Sequence, residues 1–83
     1  MKITVRYFAS IREALGQGSE AVETSATTLG ALRDELIARG GAHASSLARG
    51  KAVRMALNQT LSDETAAVSD GAEVAFFPPV TGG

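Results

Sequence analysis

The chain has 83 residues, carries eight Lys+Arg against nine Asp+Glu, and is 45% hydrophobic. That is room for one domain whose small size leaves little surface for a deep pocket of its own. A net charge of −1 supplies no broad positive field for nucleic acid, and the absence of cysteine removes disulfides, thiolate zinc sites and cysteine nucleophiles. No apolar run approaches membrane-spanning length, and Met1-Lys2-Ile3-Thr4-Val5-Arg6 starts a strand pattern instead of a signal peptide, so a cytoplasmic protein is expected.

Ile3, Val5 and Tyr7 alternate with Thr4, Arg6 and Phe8, the period of a strand with one buried face. On that reading Phe8 falls on the outer face, an odd place for a large aromatic. Ser10-Ile11-Arg12-Glu13 has the form of a capping box, so a short helix is expected with Ile11, Ala14 and Leu15 inward and a stop at Gly16. Gly16-Gln17-Gly18 reads as a turn, and Glu20 to Thr24 as a second strand.

Thr27 and Thr28 offer caps for the main helix. Its stripe is Leu29, Leu32, Leu36 and Ile37, with Arg33, Asp34 and Glu35 between, and Gly40-Gly41 ends it. Residues 42–50 are looser, with a short helical turn around Ala44 to Leu47. Val53, Met55 and Leu57 mark a third strand and Asn58-Gln59-Thr60 a tight connection into a short piece from Leu61. Asp70-Gly71 is a turn signal, and Ala72 to Phe77 alternates again, with Val74 and Phe76 on one face and Ala75 and Phe77 on the other. Strands on both sides of one long helix predict an α+β domain over residues 1–77, the helix packed on one face of a mixed sheet.

Residues 78–83 form a tail, Pro78-Pro79-Val80-Thr81-Gly82-Gly83. The prolines cannot continue a ladder as inner-strand donors, and they hold the base of the tail extended. Six extended residues reach roughly 20 Å. A Gly-Gly tip fits a channel too narrow for any Cβ, and its terminal carboxylate is open to attack on ATP and then to attack by a sulfur nucleophile. Frayed chain is the competing reading of any terminal Gly-Gly; its position directly after a strand and two prolines favours function.

Asp70 to Gly83, with Asn58-Gln59-Thr60-Leu61 and Tyr7-Phe8-Ala9-Ser10-Ile11-Arg12-Glu13, resembles the small subunits of molybdopterin synthase, the MoaD family of ubiquitin-like proteins. Residues 40–50 match that family poorly. The resemblance implies a β-grasp fold and a sulfur carrier. The Gly83 carboxylate would be adenylated with ATP (and magnesium) by a separate activating enzyme, then converted to a thiocarboxylate by a sulfur donor system. The arm Pro78, Pro79, Val80, Thr81 and Gly82 would enter the large synthase subunit, in a heterotetramer, and give sulfur to cyclic pyranopterin monophosphate. Phe8, Leu61 and Phe77 would belong to the docking surface. Arg12 matches a family position but reads equally as a solvated helix charge. Other sulfur carriers (for thiamine or tRNA thiolation), a protein modifier and an inert ubiquitin-like module are the rival functions.

Elsewhere the chemistry is sparse. His43, the only histidine, reads as a surface loop residue, and Glu20, Glu23, Asp34 and Glu35 as unpaired carboxylates on polar faces. No metal site and no permanently bound cofactor are expected, and the groups that stabilise charge during transfer should come from partners.

Overall fold

A computed structural model describes residues 1–79. The strands are β1 (Lys2–Tyr7), β2 (Ser19–Glu23), β3 (Arg54–Leu57), β4 (Thr60–Ser62) and β5 (Glu73–Phe77); the helices are α1 (Ala9–Leu15), α2 (Leu29–Ile37) and α3 (Gly41–Leu47). One mixed sheet has the order β2-β1-β5-β3-β4, with β1 and β5 parallel at its centre and the other pairs antiparallel. With the helices covering one face, this is the β-grasp arrangement.

The period-two pattern of β1 holds: Ile3, Val5 and Tyr7 are buried, facing Val74 and Phe76 across the parallel ladder. Leu29, Leu32 and Leu36 of α2 close over them, joined by Met55, Val22 and Leu47. Burying one such side chain fully contributes about 1.5–3 kcal/mol, which is why a chain this small can hold a single state.

The start of α2 depends on a distant segment. Thr28 Oγ1 accepts from Ala31 N–H at 3.2 Å. The N–H groups of Leu29 and Gly30 donate to the carbonyls of Ala66 (3.1 Å) and Glu64 (3.0 Å). These are the donors a helix leaves unpaired at its N-terminus. Glycine at position 30 suits the approach, because a Cβ there would lie 2.9 Å from Glu64 Oε1, 3.1 Å from its Cβ and 3.3 Å from its carbonyl oxygen, and Glu64 would have to give way.

Several local expectations change. No capping box forms at Ser10: α1 starts at Ala9, its cap is Phe8 in extended geometry (φ −129°, ψ 156°), and no side chain caps it. The chain turns straight from β1 into the helix, so the Ser10 position is already inside the first turn. Ile11 is buried and Leu15 half-buried, but Ala14 is exposed. Gly16 does end α1, in the left-handed region at φ 72°. The main helix stops at Ile37, before the glycines, and Gly40 instead caps α3, so the looser 42–50 stretch is mostly a seven-residue helix.

Arg33, expected among the outward polar residues, is only 4% exposed. Its Nε donates to Leu47 O at 2.8 Å, and Nη2 to Ala48 O at 2.8 Å and Lys51 O at 3.3 Å. Burial costs this cation and lowers its pKa, while Glu64, 3.6 Å away, favours the charged form. One side chain thereby ties the end of α3 and the following loop to α2.

Candidate functional site

The sheet's second face carries the predicted docking residues. Arg6 of β1 lies opposite Ala75 of β5, Ala75 opposite Ala56 of β3, and Ala56 opposite Leu61 of β4. One row further along, Phe77 faces Arg54. Phe8 continues the alternation of Arg6 just beyond β1, held by its N–H to Phe76 O at 3.2 Å. The Arg6 guanidinium carbon stands 5.3 Å from the centroid of the Phe8 ring, a cation–π contact. The structure thus brings Phe8, Phe77 and Leu61 to one face, with two alanines making a shallow floor between them.

Their exposure differs. Leu61 is 63% and Phe8 39% exposed, the two large hydrophobics most open to solvent among the described residues, while Phe77 is half-buried. Among the described residues no helix closes over Leu61 and Phe8, so much of their apolar surface stays open to solvent. A patch of this kind, bounded by Arg6, Glu73 and Arg54, has the composition of an interface core with a charged rim.

The tail leaves the same end of the sheet. Strand β5 stops at Phe77, and Pro78 and Pro79 follow it, half-buried. Pro78 lines a small cleft with Ser10 and Ile11 of α1, Ser46 of α3, and Lys51. Val80, Thr81, Gly82 and Gly83 lie outside the described residues.

Beneath this end runs a polar network that the sequence did not reveal. Glu20 Oε2 accepts from Tyr7 Oη at 2.6 Å and meets His43 Nε2 at 2.9 Å, while Oε1 accepts from Arg39 Nη1 at 2.8 Å. Burial alone would raise the Glu20 pKa, but the hydrogen bonds from His43, Tyr7 and Arg39 outweigh it and hold it down at about 2. Burial and the Glu20 carboxylate push the Tyr7 phenol well above its ordinary range. Tyr7 also stacks on Phe76, with ring centroids 6.3 Å apart. His43 is therefore no surface loop residue and Glu20 no unpaired carboxylate: with Tyr7 and Arg39 they pin α3 and the segment after α2 to β1 and β2. Glu20 and His43 are 23 residues apart, so no local spacing announces the pair.

Arg33 did leave a signal. It lies four residues after Leu29 and three before Leu36, on the apolar stripe itself, where a charge demands a specific partner.

A small β-grasp domain with an open apolar face and a proline-based arm at its last strand defines the class of ubiquitin-like carrier proteins. The sequence profile of the ThiS family matches residues 5–83, and the chain belongs to that family. It is 43% identical over 81 residues to the molybdopterin synthase sulfur carrier subunit of Escherichia coli K12, covering 98% of this chain and 99% of that one. Among solved structures it is similar to SAMP1 from Haloferax volcanii, with TM-score 0.78 and 25% identity across all of both chains. It is also similar to a chain of the complex of subunits 1 and 2 of molybdopterin-converting factor from Helicobacter pylori 26695, with TM-score 0.70 and 27% identity across all of both chains. Among the described residues no helix is long and apolar enough to cross a membrane.

Proposed function

We propose that this chain is the sulfur carrier subunit of a molybdopterin synthase. The full-length kinship with a sulfur carrier subunit at 43% identity carries this reading. The sheet geometry supports it, because the arm's root and the open apolar face share one end of the domain. A partner seated on Phe8, Phe77 and Leu61 therefore receives the tail without any rearrangement of the sheet. The partner is the large synthase subunit, in a heterotetramer of two small subunits on a large-subunit dimer.

The chemistry belongs to the tail tip. The Gly83 carboxylate attacks the α-phosphorus of ATP on an activating enzyme, which supplies the magnesium, and pyrophosphate leaves. The acyl adenylate so formed is a mixed anhydride with AMP as a good leaving group. A sulfur nucleophile from the donor system adds to its carbonyl, AMP departs, and a thiocarboxylate remains. Glycine at 82 and 83 keeps that carbonyl free of side-chain hindrance and lets the arm of Pro78, Pro79, Val80 and Thr81 deliver it into a narrow channel. The tail then gives its sulfur to cyclic pyranopterin monophosphate, and two transfers complete the dithiolene. Nucleotide contact is confined to the activation step, and the route is cytoplasmic. Charge stabilisation in each step comes from the partner, since Glu20, Tyr7, His43 and Arg39 are committed to one another in the domain's own network.

Reconstitution tests this directly. The protein bearing a C-terminal thiocarboxylate, mixed with the large subunit of its own organism and the pyranopterin precursor, should yield a dithiolene-containing pterin, and the ordinary carboxylate form should not. A folded, verified thiocarboxylate that gives no product overturns the molybdopterin assignment and turns attention to thiamine and tRNA-thiolation partners.

A further inference from the structure

Half of the eight Lys and Arg side chains pair with carboxylates within the domain. Arg6 pairs with Glu73, Arg39 with Glu20, Arg49 with Asp34 and Glu64, and Arg33 with Glu64. Among the described residues, Lys2, Arg12, Lys51 and Arg54 have no carboxylate within 4.0 Å. Two of these four flank the root of the tail. Arg54 is the cross-strand neighbour of Phe77. Lys51 shares with Pro78 the cleft beside α1.

Both stems start from fixed backbone. Arg54 is held in the β3–β5 ladder. Lys51 is anchored on both sides, its N–H donating to Ala48 O at 2.9 Å and its carbonyl accepting from the buried Arg33 guanidinium at 3.3 Å. The chain as a whole is slightly acidic, with a net charge of −1, so two uncompensated cations at this spot are not a sample of a general excess.

We propose that Lys51 and Arg54 form a cationic collar around the root of the tail that docks on acidic side chains at the rim of the partner's channel. The inference rests on the docking reading above. On that reading the reacting tip, Gly83, lies four residues beyond Pro79, a reach of about 13 Å for extended chain. A channel that takes in the tip must therefore bring its rim against Pro78 and Pro79, close to Lys51, which shares a cleft with Pro78, and to Arg54, the strand partner of Phe77. Carboxylates on a protein rim fit better than a small anion, because both side chains are exposed and enclose no cradle. Exposed charges of this kind act chiefly on encounter rate, and salt screens them.

The test is stopped-flow binding of the full chain to the large subunit of its own organism at about 0.02 M and about 0.3 M salt. The double variant Lys51→Glu/Arg54→Glu should associate about tenfold more slowly at low salt, with the gap closing at high salt and dissociation little changed. The charge-preserving pair Lys51→Arg/Arg54→Lys should match the wild type, and an unchanged urea midpoint checks the fold. Wild-type association by the double-Glu variant, or a loss that salt does not alter, overturns the collar. Leu61→Ala separates the two readings, since it should act through faster dissociation at any salt. A wild type that does not bind the large subunit overturns the docking reading, and the collar with it.

Discussion

On the helix-facing side of the sheet, Val5, Val74, Phe76 and Met55 meet under Leu29, Leu32 and Leu36, and none is more than 5% exposed. On the other side the same strands present Arg6, Ala75, Ala56, Phe77 and, from β4, Leu61, with no layer above them. Phe76 and Phe77 are neighbours in sequence and opposite in role. One is fully buried and spends its apolar area on folding; the other is half-buried and leaves part of that area open to solvent. The difference shows how so small a chain divides its apolar surface: one face holds the domain together, and the other is left open.

The largest effect should come from neither face. Gly82→Ala places a methyl group at the tip of the arm and should leave the domain's melting temperature unchanged while sulfur transfer falls by about a hundredfold or more, the scale expected of a small misplacement at a reacting centre. A single-turnover assay with the variant's thiocarboxylate measures this. Transfer at the wild-type rate would mean that the tip is not threaded through a tight channel.

Phe76→Ala and Phe77→Ala test the two faces against each other. Phe76→Ala should destabilise the domain by about 3–5 kcal/mol, read as a lower urea midpoint with unchanged slope. Phe77→Ala should cost under about 1 kcal/mol of stability but weaken large-subunit binding by about tenfold or more. If both variants lose mainly stability, the outer face is structural and the contrast between the faces fails.

The Glu20 network gives a pH signature. Its carboxyl is held at about 2 instead of the ordinary 4.5, so the folded pKa is depressed. The stabilisation is therefore complete above the ordinary value and is lost as the pH falls toward 2. A shift of that size amounts to at most about 3 kcal/mol. Glu20→Gln removes it, so the stability gap between wild type and variant, measured by urea unfolding, should be full at pH 7 and shrink through that acid window. A gap that does not vary with pH would mean that packing alone, and not the carboxylate's charge, joins α3 to the strands.

Much of this was legible in the sequence because it is local. The alternation of Ile3, Val5 and Tyr7, the spacing of Leu29, Leu32 and Leu36, and the Gly16 and Asp70-Gly71 turns each follow from the geometry of a few adjacent residues. The α+β class and the open side of β5 followed from them. What stayed hidden is held by partners far along the chain. Gly30 looks like an ordinary helix glycine until Glu64 is seen against it. His43 looks idle until α3 brings it to Glu20. The missing capping box at Ser10 has the opposite cause, a good local signal overridden by the tight exit from β1.

The Asn58-Gln59-Thr60 connection also carries a backbone cost. The β3–β4 connection is a two-residue hairpin with Asn58 at φ 49° and Gln59 at φ 70°, both in the left-handed region. Asn58 is suited to it, and its Oδ1 accepts from Glu73 N–H at 2.9 Å, tying the turn to the start of β5. Gln59 bears a Cβ in a conformation that costs an L-residue about 1–2 kcal/mol. Gln59→Gly removes that strain but adds freedom to the unfolded chain, so a net gain of about 0.5 kcal/mol is expected in urea unfolding. Because the turn sets the register that puts Leu61 opposite Ala56 on the outer face, large-subunit binding should not change. A loss of affinity with a gain in stability would show that the Gln59 side chain itself belongs to the docking surface, extending it past Leu61 to the tip of the hairpin.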